Sequence, residues 1–125
     1  AEMAVHYIGG YWESVLEHYQ FSGDHLKTMK GYEYYGKFAE MIQKYGVNSA
    51  TEFFMNLQVW GTPDMCYERI LDIRERTGAD GFIGVFGYAG MPGNEAERNM
   101  RLFAEKVAPR LKELPTSPVF AGCTA

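Results

Sequence analysis

The sequence predicts an α/β protein that is mostly helical and contains about one core strand. Its two clearest helical patterns, residues 63–77 and 94–113, flank the apolar run Phe82-Ile83-Gly84-Val85-Phe86. A short uninterrupted apolar run of this kind is typical of a strand that is buried on both faces. A helix, a tight turn and a buried strand in this order are typical of a parallel sheet.

The helix predicted over residues 63–77 has signals at both of its ends. Thr62 is a good N-cap residue, and Pro63 suits the first helical position, where no backbone N–H is needed. Gly78 can adopt the left-handed conformation that ends a helix. Three residues at helical spacing form its apolar face, namely Cys66, Ile70 and Ile73.

A second helix is predicted to follow the strand and to begin at Asn94. Asn94 and Glu97 have the spacing of a capping box. The residues that share its apolar face are Ala96, Met100, Phe103, Val107 and Leu111. Pro109 cannot donate a hydrogen bond to the carbonyl of Glu105, so we expect a kink or an early end there.

Residues 1–20 are predicted to form a helix that is bent or broken in its middle. Gly9 and Gly10 each cost about 1 kcal/mol relative to alanine within a helix. The residues on its apolar face are Ala4, Ile8, Trp12, Val15 and Tyr19.

Two further helices are predicted before residue 58. The first begins between Asp24 and Tyr32 and ends at Gly46. Its apolar face consists of Tyr35, Phe38, Ile42 and Tyr45. Ser49-Ala50-Thr51-Glu52 is another capping-box pattern and predicts a short helix through about Leu57.

The segment from residue 7 to residue 60 is rich in aromatic side chains. They are Tyr7, Tyr11, Trp12, Tyr19, Tyr32, Tyr34, Tyr35, Phe53, Phe54 and Trp60. Packing between helices is the favoured interpretation, and the lining of a substrate pocket is the alternative.

Composition and charge exclude several classes of protein. The net charge of −4 and the absence of a Lys/Arg cluster argue against a nucleic-acid surface. The sequence contains no run of about 18 apolar residues, so no membrane span is predicted. Two cysteines are too few for a disulfide scaffold, so a reducing, cytoplasmic location is expected.

The titratable residues do not form a recognisable catalytic or metal-binding pattern. His6, His18 and His25 lack metal-ligand spacing, so no metal site is predicted. Cys66 on its helical face is interpreted as a core residue rather than a nucleophile, and Cys123 lies in the C-terminal tail. The sequence identifies no catalytic residue.

Four ordered segments resemble those of a known family of enzymes. They are Val59-Trp60-Gly61-Thr62-Pro63, the turn Thr77-Gly78-Ala79-Asp80, the loop from Phe86 to Pro92, and Phe103-Ala104-Glu105-Lys106-Val107-Ala108-Pro109. Together they resemble the C-terminal end of the luciferase-like flavin-dependent monooxygenases. That family has a (β/α)8 barrel fold and uses reduced flavin mononucleotide (FMN) and dioxygen. Residues 30–36 are similar to a helical excursion that many members carry.

The resemblance implies a C-terminal fragment of a (β/α)8 (TIM) barrel. Since 125 residues are about half of the ~250 in a complete barrel, we expect the chain to be one partial domain of a longer protein. Residues 1–58 would form the helical excursion, residues 59–114 the last helix, strand and helix, and residues 115–125 an irregular tail. The isolated chain is expected to be inactive, because flavin-phosphate and proton-transfer residues lie in earlier parts of such barrels.

The implied function is FMN-dependent oxygenation of a small organic substrate by the intact protein. The loops after barrel strands build the active site in this fold. The candidate cofactor-binding residues are therefore Phe86, Gly87, Tyr88, Gly90, Met91 and Trp60. For the loop, the alternative is a tight connection between strand and helix, in which the glycines have no binding role. For the protein, the alternatives are a non-catalytic helical assembly module and a cofactor-binding fragment completed by another chain.

The predicted strand also suggests self-association. Residues 82–86 are apolar on both sides of the pleat, and this chain supplies no second strand to cover their edges. We therefore expect a homo-oligomer, most simply a two-fold dimer.

Overall fold

The computed structural model describes residues 2–116, which fall into two compact units that divide between Gln58 and Val59. The first unit contains α1 (Glu2–Ala4), a π-helical turn (Val5–Gly9), α2 (Gly10–His18), α3 (His25–Thr28), α4 (Glu33–Tyr45) and α5 (Val47–Leu57). The second unit contains α6 (Pro63–Thr77), α7 (Gly93–Lys106) and α8 (Ala108–Lys112). The protein is therefore mostly helical, as predicted.

The π-helical turn lies where the glycine pair predicts an interruption of the first helix. Gly10 continues the chain in a helical conformation, so the interruption is a local widening of the helix and not a break. Ile8, Trp12 and Leu16 are the residues that this face buries. Tyr19 was predicted to share the face but is exposed, because α2 ends at His18.

The core of the first unit is built around the indole of Trp12. This ring stacks on Phe54 with 4.3 Å between ring centroids, and it meets Phe38 edge-on at 5.8 Å. Leu16, Ile42 and Ala50 complete the buried cluster. Trp12 and Phe54 therefore pack helices together, as the favoured interpretation of the aromatic residues expects. Six others of that set are exposed, namely Tyr11, Tyr19, Tyr32, Tyr34, Tyr35 and Phe53. Tyr35 and Tyr45, by contrast, are exposed and do not belong to the core face predicted for α4.

Gly36 allows α3 and α4 to approach each other closely. A Cβ atom at this position would lie 3.0 Å from the Lys27 Cα and 3.1 Å from the Leu26 carbonyl oxygen. Glycine lowers the intrinsic helix propensity of α4, but here it removes the atom that would keep the two backbones apart.

The predicted capping box at the start of α5 is wrong. The helix begins at Val47, directly after Gly46, whose positive φ of 85° redirects the chain between the two helices. Ser49 consequently lies within the first turn, where its hydroxyl donates to the Tyr45 carbonyl at 3.1 Å.

The predictions for α6 are confirmed at both ends. The Thr62 hydroxyl accepts a hydrogen bond from the Met65 N–H at 3.3 Å. Gly78 adopts a left-handed conformation with a φ of 72°, and its N–H donates to the Arg74 carbonyl at 2.7 Å. These end signals act locally, so the sequence was sufficient to place both of them.

The second predicted helix differs at its start and is confirmed at its interruption. It begins at Gly93, so Asn94 is not its N-cap, and Glu97 instead forms an ion pair with Arg101 at 2.7 Å. The helix is interrupted at Val107, two residues before Pro109, as the missing proline N–H predicts. Val107 is almost completely buried.

The core strand predicted over residues 82–86 is not formed. No residue between 2 and 116 belongs to a β-strand. Ile83 is 95% exposed and Val85 is 71% exposed. A strand requires a neighbour to pair with, and this part of the chain supplies none, so the apolar run stays open.

None of the helices in residues 2–116 has the length and apolar character needed to cross a bilayer. The predictions for the tail, including the placement of Cys123, lie outside the described residues.

Candidate cofactor-binding loop

The candidate loop, residues 86–92, contains a tight turn with an unusual backbone. The Met91 N–H donates to the Tyr88 carbonyl at 3.0 Å and closes the turn. Both central residues have positive φ, 53° at Ala89 and 71° at Gly90. Glycine adopts such angles freely, whereas a left-handed alanine costs roughly 1–2 kcal/mol. Backbone strain of this kind is concentrated at functional sites, although it also occurs elsewhere.

The loop is attached to α7 at three successive positions of one helical face. A Cβ atom on Gly87 would lie 3.2 Å from the Ala96 Cβ, so this backbone passes directly over the helix. The Asn99 amide donates to the Met91 sulfur at 3.7 Å. The Phe103 ring then meets the Phe86 ring at 5.3 Å. This face, at steps of three and four, fixes both ends of the loop.

The face of α7 that holds the loop differs from the one predicted. Ala96 and Phe103 belong to it as expected, but Met100 is 53% exposed and Asn99 takes its place. Asn99 was not predicted for this face, because its side chain is polar. Its spacing between Ala96 and Phe103 was the available signal.

Phe86 shares its contact on Phe103 with Phe82, whose ring centroid lies 5.4 Å from that of Phe103. The two rings close over Gly84. A Cβ atom there would be 2.8 Å from Phe86 and 3.2 Å from Phe82. Phe86 is therefore held by neighbouring rings, and only part of its surface remains available to a ligand.

Tyr88 and Trp60 are the remaining aromatic candidates. Tyr88 is half-buried, and this burial raises the pKa of its phenol. A tyrosine phenol is protonated near neutral pH even without this shift. Trp60 is half-buried at the beginning of the second unit, and its assignment to the cofactor site stays a prediction.

Ion pairs hold the segments that flank the loop. The Arg74 guanidinium donates to the Asp80 carboxylate at 3.0 Å and also to the Pro115 carbonyl. The Arg110 guanidinium lies 3.7 Å from the centroid of the Tyr67 ring. It also pairs with Asp64 at 2.7 Å, which attaches α8 to the beginning of α6.

The reactive side chains do not converge on the loop. Cys66 is half-buried, and burial raises the pKa of its thiol, which disfavours the nucleophilic thiolate. The three histidines are exposed in the first unit. Among residues 2–116, no three His, Cys, Asp or Glu side chains form a group suited to a metal ion.

A shallow depression of about 390 Å³ lies on the outer side of α7 and does not include the candidate loop. Its lining residues are Asn94, Glu97, Arg98, Arg101, Leu102 and Glu105. All of them belong to one helix, and their ion pairs are exposed. One convex surface cannot enclose a ligand as binding pockets do, so the loop remains the better candidate site.

No family model, no curated protein and no solved structure matches this chain.

Proposed function

We propose that the chain forms the C-terminal part of a luciferase-like, FMN-dependent monooxygenase. In this proposal, residues 86–92 form one wall of the flavin site. The family assignment is supported by the resemblance of the four ordered segments between residues 59 and 109. The strained turn at Ala89 and Gly90, held against α7, is the structural observation that carries the assignment of the site.

The residues of the loop suit one part of a flavin. An isoalloxazine ring is flat and largely apolar, and Phe86, Tyr88 and Met91 offer apolar surface. The backbone of Gly90 carries no side chain, and open space surrounds its Cβ position, so a ring can approach this backbone closely. The loop itself contains no cation for the phosphate. The proposal therefore assigns only ring contact to these residues.

The chemistry of oxygen activation would be supplied by the bound reduced flavin. The role of this chain is to position the ring and to exclude water from one side of it. Cys66 takes no part in this proposal.

A non-catalytic assembly module is the second candidate. The observation that favours it is the exposure of Ile83 and Val85, since apolar surface of this kind is typical of interaction sites. A cofactor-binding fragment completed by another chain is the third. Flavin absorbance in the purified whole natural polypeptide separates the first two candidates, and co-purification of another polypeptide with this chain identifies the third.

The 125-residue chain allows a direct test by NMR titration with oxidised FMN. We expect binding weaker than micromolar, because one wall of a pocket provides few contacts. The amide signals of Gly87, Gly90 and Met91 should nevertheless shift at millimolar FMN. Signals from α4 in the first unit serve as the control and should not move. Shifts confined to the first unit, or none at millimolar FMN, would contradict the assignment of the loop.

A further inference from the structure

Met91 ends the strained turn of the loop, and both its backbone and its side chain have a hydrogen-bond partner. Its N–H donates to the Tyr88 carbonyl at 3.0 Å. Its sulfur accepts a hydrogen bond from the side-chain amide of Asn99 at 3.7 Å. A thioether is a weak acceptor, so this second bond adds little to stability. Its larger effect is on the chemistry of the sulfur.

The Met91 side chain is half-buried, so a small oxidant can still reach its sulfur. In the reaction with hydrogen peroxide, a lone pair of the sulfur attacks one peroxide oxygen and forms the S–O bond of a sulfoxide. The O–O bond breaks, and the second oxygen leaves as water. The sulfur loses two electrons, which the peroxide gains. The sulfoxide is polar, so oxidation would remove the apolar character of this side chain.

The Asn99 amide opposes this reaction in two ways. Its N–H withdraws electron density from the sulfur, which becomes a weaker nucleophile toward the peroxide. The amide also occupies one of the directions from which an oxidant can approach. The position of Asn99 on α7 is suited to this task, because it lies between Ala96 and Phe103, which contact the loop at Gly87 and Phe86.

We propose that Asn99 protects the Met91 sulfur from oxidation by hydrogen peroxide. Asn99 acts through Met91, so it is a positioning residue and not a catalytic one. The purpose of the protection rests on the proposed function. A flavin supplies dioxygen chemistry, and hydrogen peroxide is its two-electron product when no substrate is oxygenated. A thioether in the wall of a flavin site would meet that peroxide where it is formed.

Oxidation of the 125-residue chain by added hydrogen peroxide tests the protection directly, with peptide mass spectrometry reporting sulfoxide at each methionine. Met65 and Met100 are the internal references, because they are 52% and 53% exposed. In the unchanged chain, Met91 should react about threefold more slowly than either reference, since burial and the hydrogen bond both oppose the reaction. Reaction of Met91 as fast as Met65 would overturn the proposal, and this readout requires no variant to fold.

Two variants of similar side-chain size separate the hydrogen bond from burial. Asn99→Asp and Asn99→Leu both remove the N–H donor, and only the first adds a charge. We expect Met91 to be oxidised about threefold faster in each of them, whereas Met65 and Met100 should keep their rates. Glu97→Gln, at an exposed position of the same helix, is the control and should leave the rate at Met91 unchanged.

An unchanged rate at Met91 in both Asn99 variants would overturn the proposal. Equal acceleration at Met65 and Met100 would also overturn it, because the substitution would then have loosened the helices and not merely removed one donor. This assay contains no flavin, and the FMN titration contains no peroxide. Failure of the protection is therefore distinguishable from failure of the proposed function.

Discussion

The ring of Phe86 lies against the ring of Phe103, with 5.3 Å between their centroids and 58° between their planes. This contact joins the first residue of the candidate loop to the last turn of α7. Because Phe103 also contacts Phe82, a single helical side chain holds the extended segment and the loop together.

Replacement of Phe103 should therefore destabilise the second unit. Burial of an aromatic side chain is worth several kcal/mol, and Phe103 is half-buried, so Phe103→Ala should lower the free energy of unfolding by about 2 kcal/mol. Leu102→Ala is the control at the exposed neighbouring position and should cost less than about 0.5 kcal/mol. Chemical denaturation measures both values, and equal losses would show that Phe103 does not hold the loop.

The strain at Ala89 predicts opposite effects for the same substitution at two sites. Ala89→Gly should raise the free energy of unfolding by up to about 1 kcal/mol, because glycine accepts a positive φ without a steric cost. Ala104→Gly, at an exposed position within α7, should lower it by about 1 kcal/mol. Thermal unfolding of the two variants is the measurement. A loss of stability at both sites would mean that the Ala89 backbone is not strained.

Two glycines of the first unit form a similar matched pair. Gly36→Ala should destabilise the protein by about 1–3 kcal/mol, because the new methyl group would press on the backbone of α3. Gly10→Ala meets no atom within 4 Å and should stabilise α2 by about 0.5–1 kcal/mol. Urea denaturation of each variant tests this difference in sign. A stabilising effect of Gly36→Ala would show that α3 and α4 are further apart.

The thiol of Cys66 should titrate above its ordinary value of 9.0, because burial raises its pKa. The thiol of the unfolded chain then ionises first as the pH rises. The contribution of the neutral thiol to stability is therefore complete below the unfolded pKa and is lost as the pH rises through the folded pKa. Thiolate absorbance of the Cys123→Ser variant measures the ionisation. A midpoint below 9.0 would contradict the burial of this side chain and would reopen a nucleophilic role.

Sequence reasoning succeeded where a signal and its effect lie close together. Thr62 and Gly78 delimit α6 as predicted, and the last predicted helix is interrupted two residues before Pro109. The predictions were wrong where another nearby residue determines where the helix begins. Gly46 directly precedes α5, and Gly93 is the first residue of α7. Ser49 and Asn94, which were predicted to cap these helices, therefore lie inside them.

The prediction of a strand over residues 82–86 was wrong for a different reason. Its apolar pattern is real, but Phe82, Ile83 and Val85 are all exposed, because strand formation depends on a pairing partner that the described part of the chain does not supply. The strained turn was equally hidden, since alanine gives no indication of a positive φ at Ala89. The sequence placed the loop, whereas the structure was needed to identify Asn99 as one of its contacts.

The central claim is that residues 59–114 belong to an FMN-dependent enzyme, and FMN binding by the whole natural polypeptide tests it most directly. Reading the coding frame upstream of Ala1 defines that polypeptide, which is then expressed and titrated with FMN. The account predicts micromolar or tighter binding that Phe86→Ala weakens and that Tyr34→Ala, at a 71% exposed position of the first unit, leaves unchanged. A polypeptide that binds no FMN, or one in which the two folded variants bind it equally well, would contradict the account.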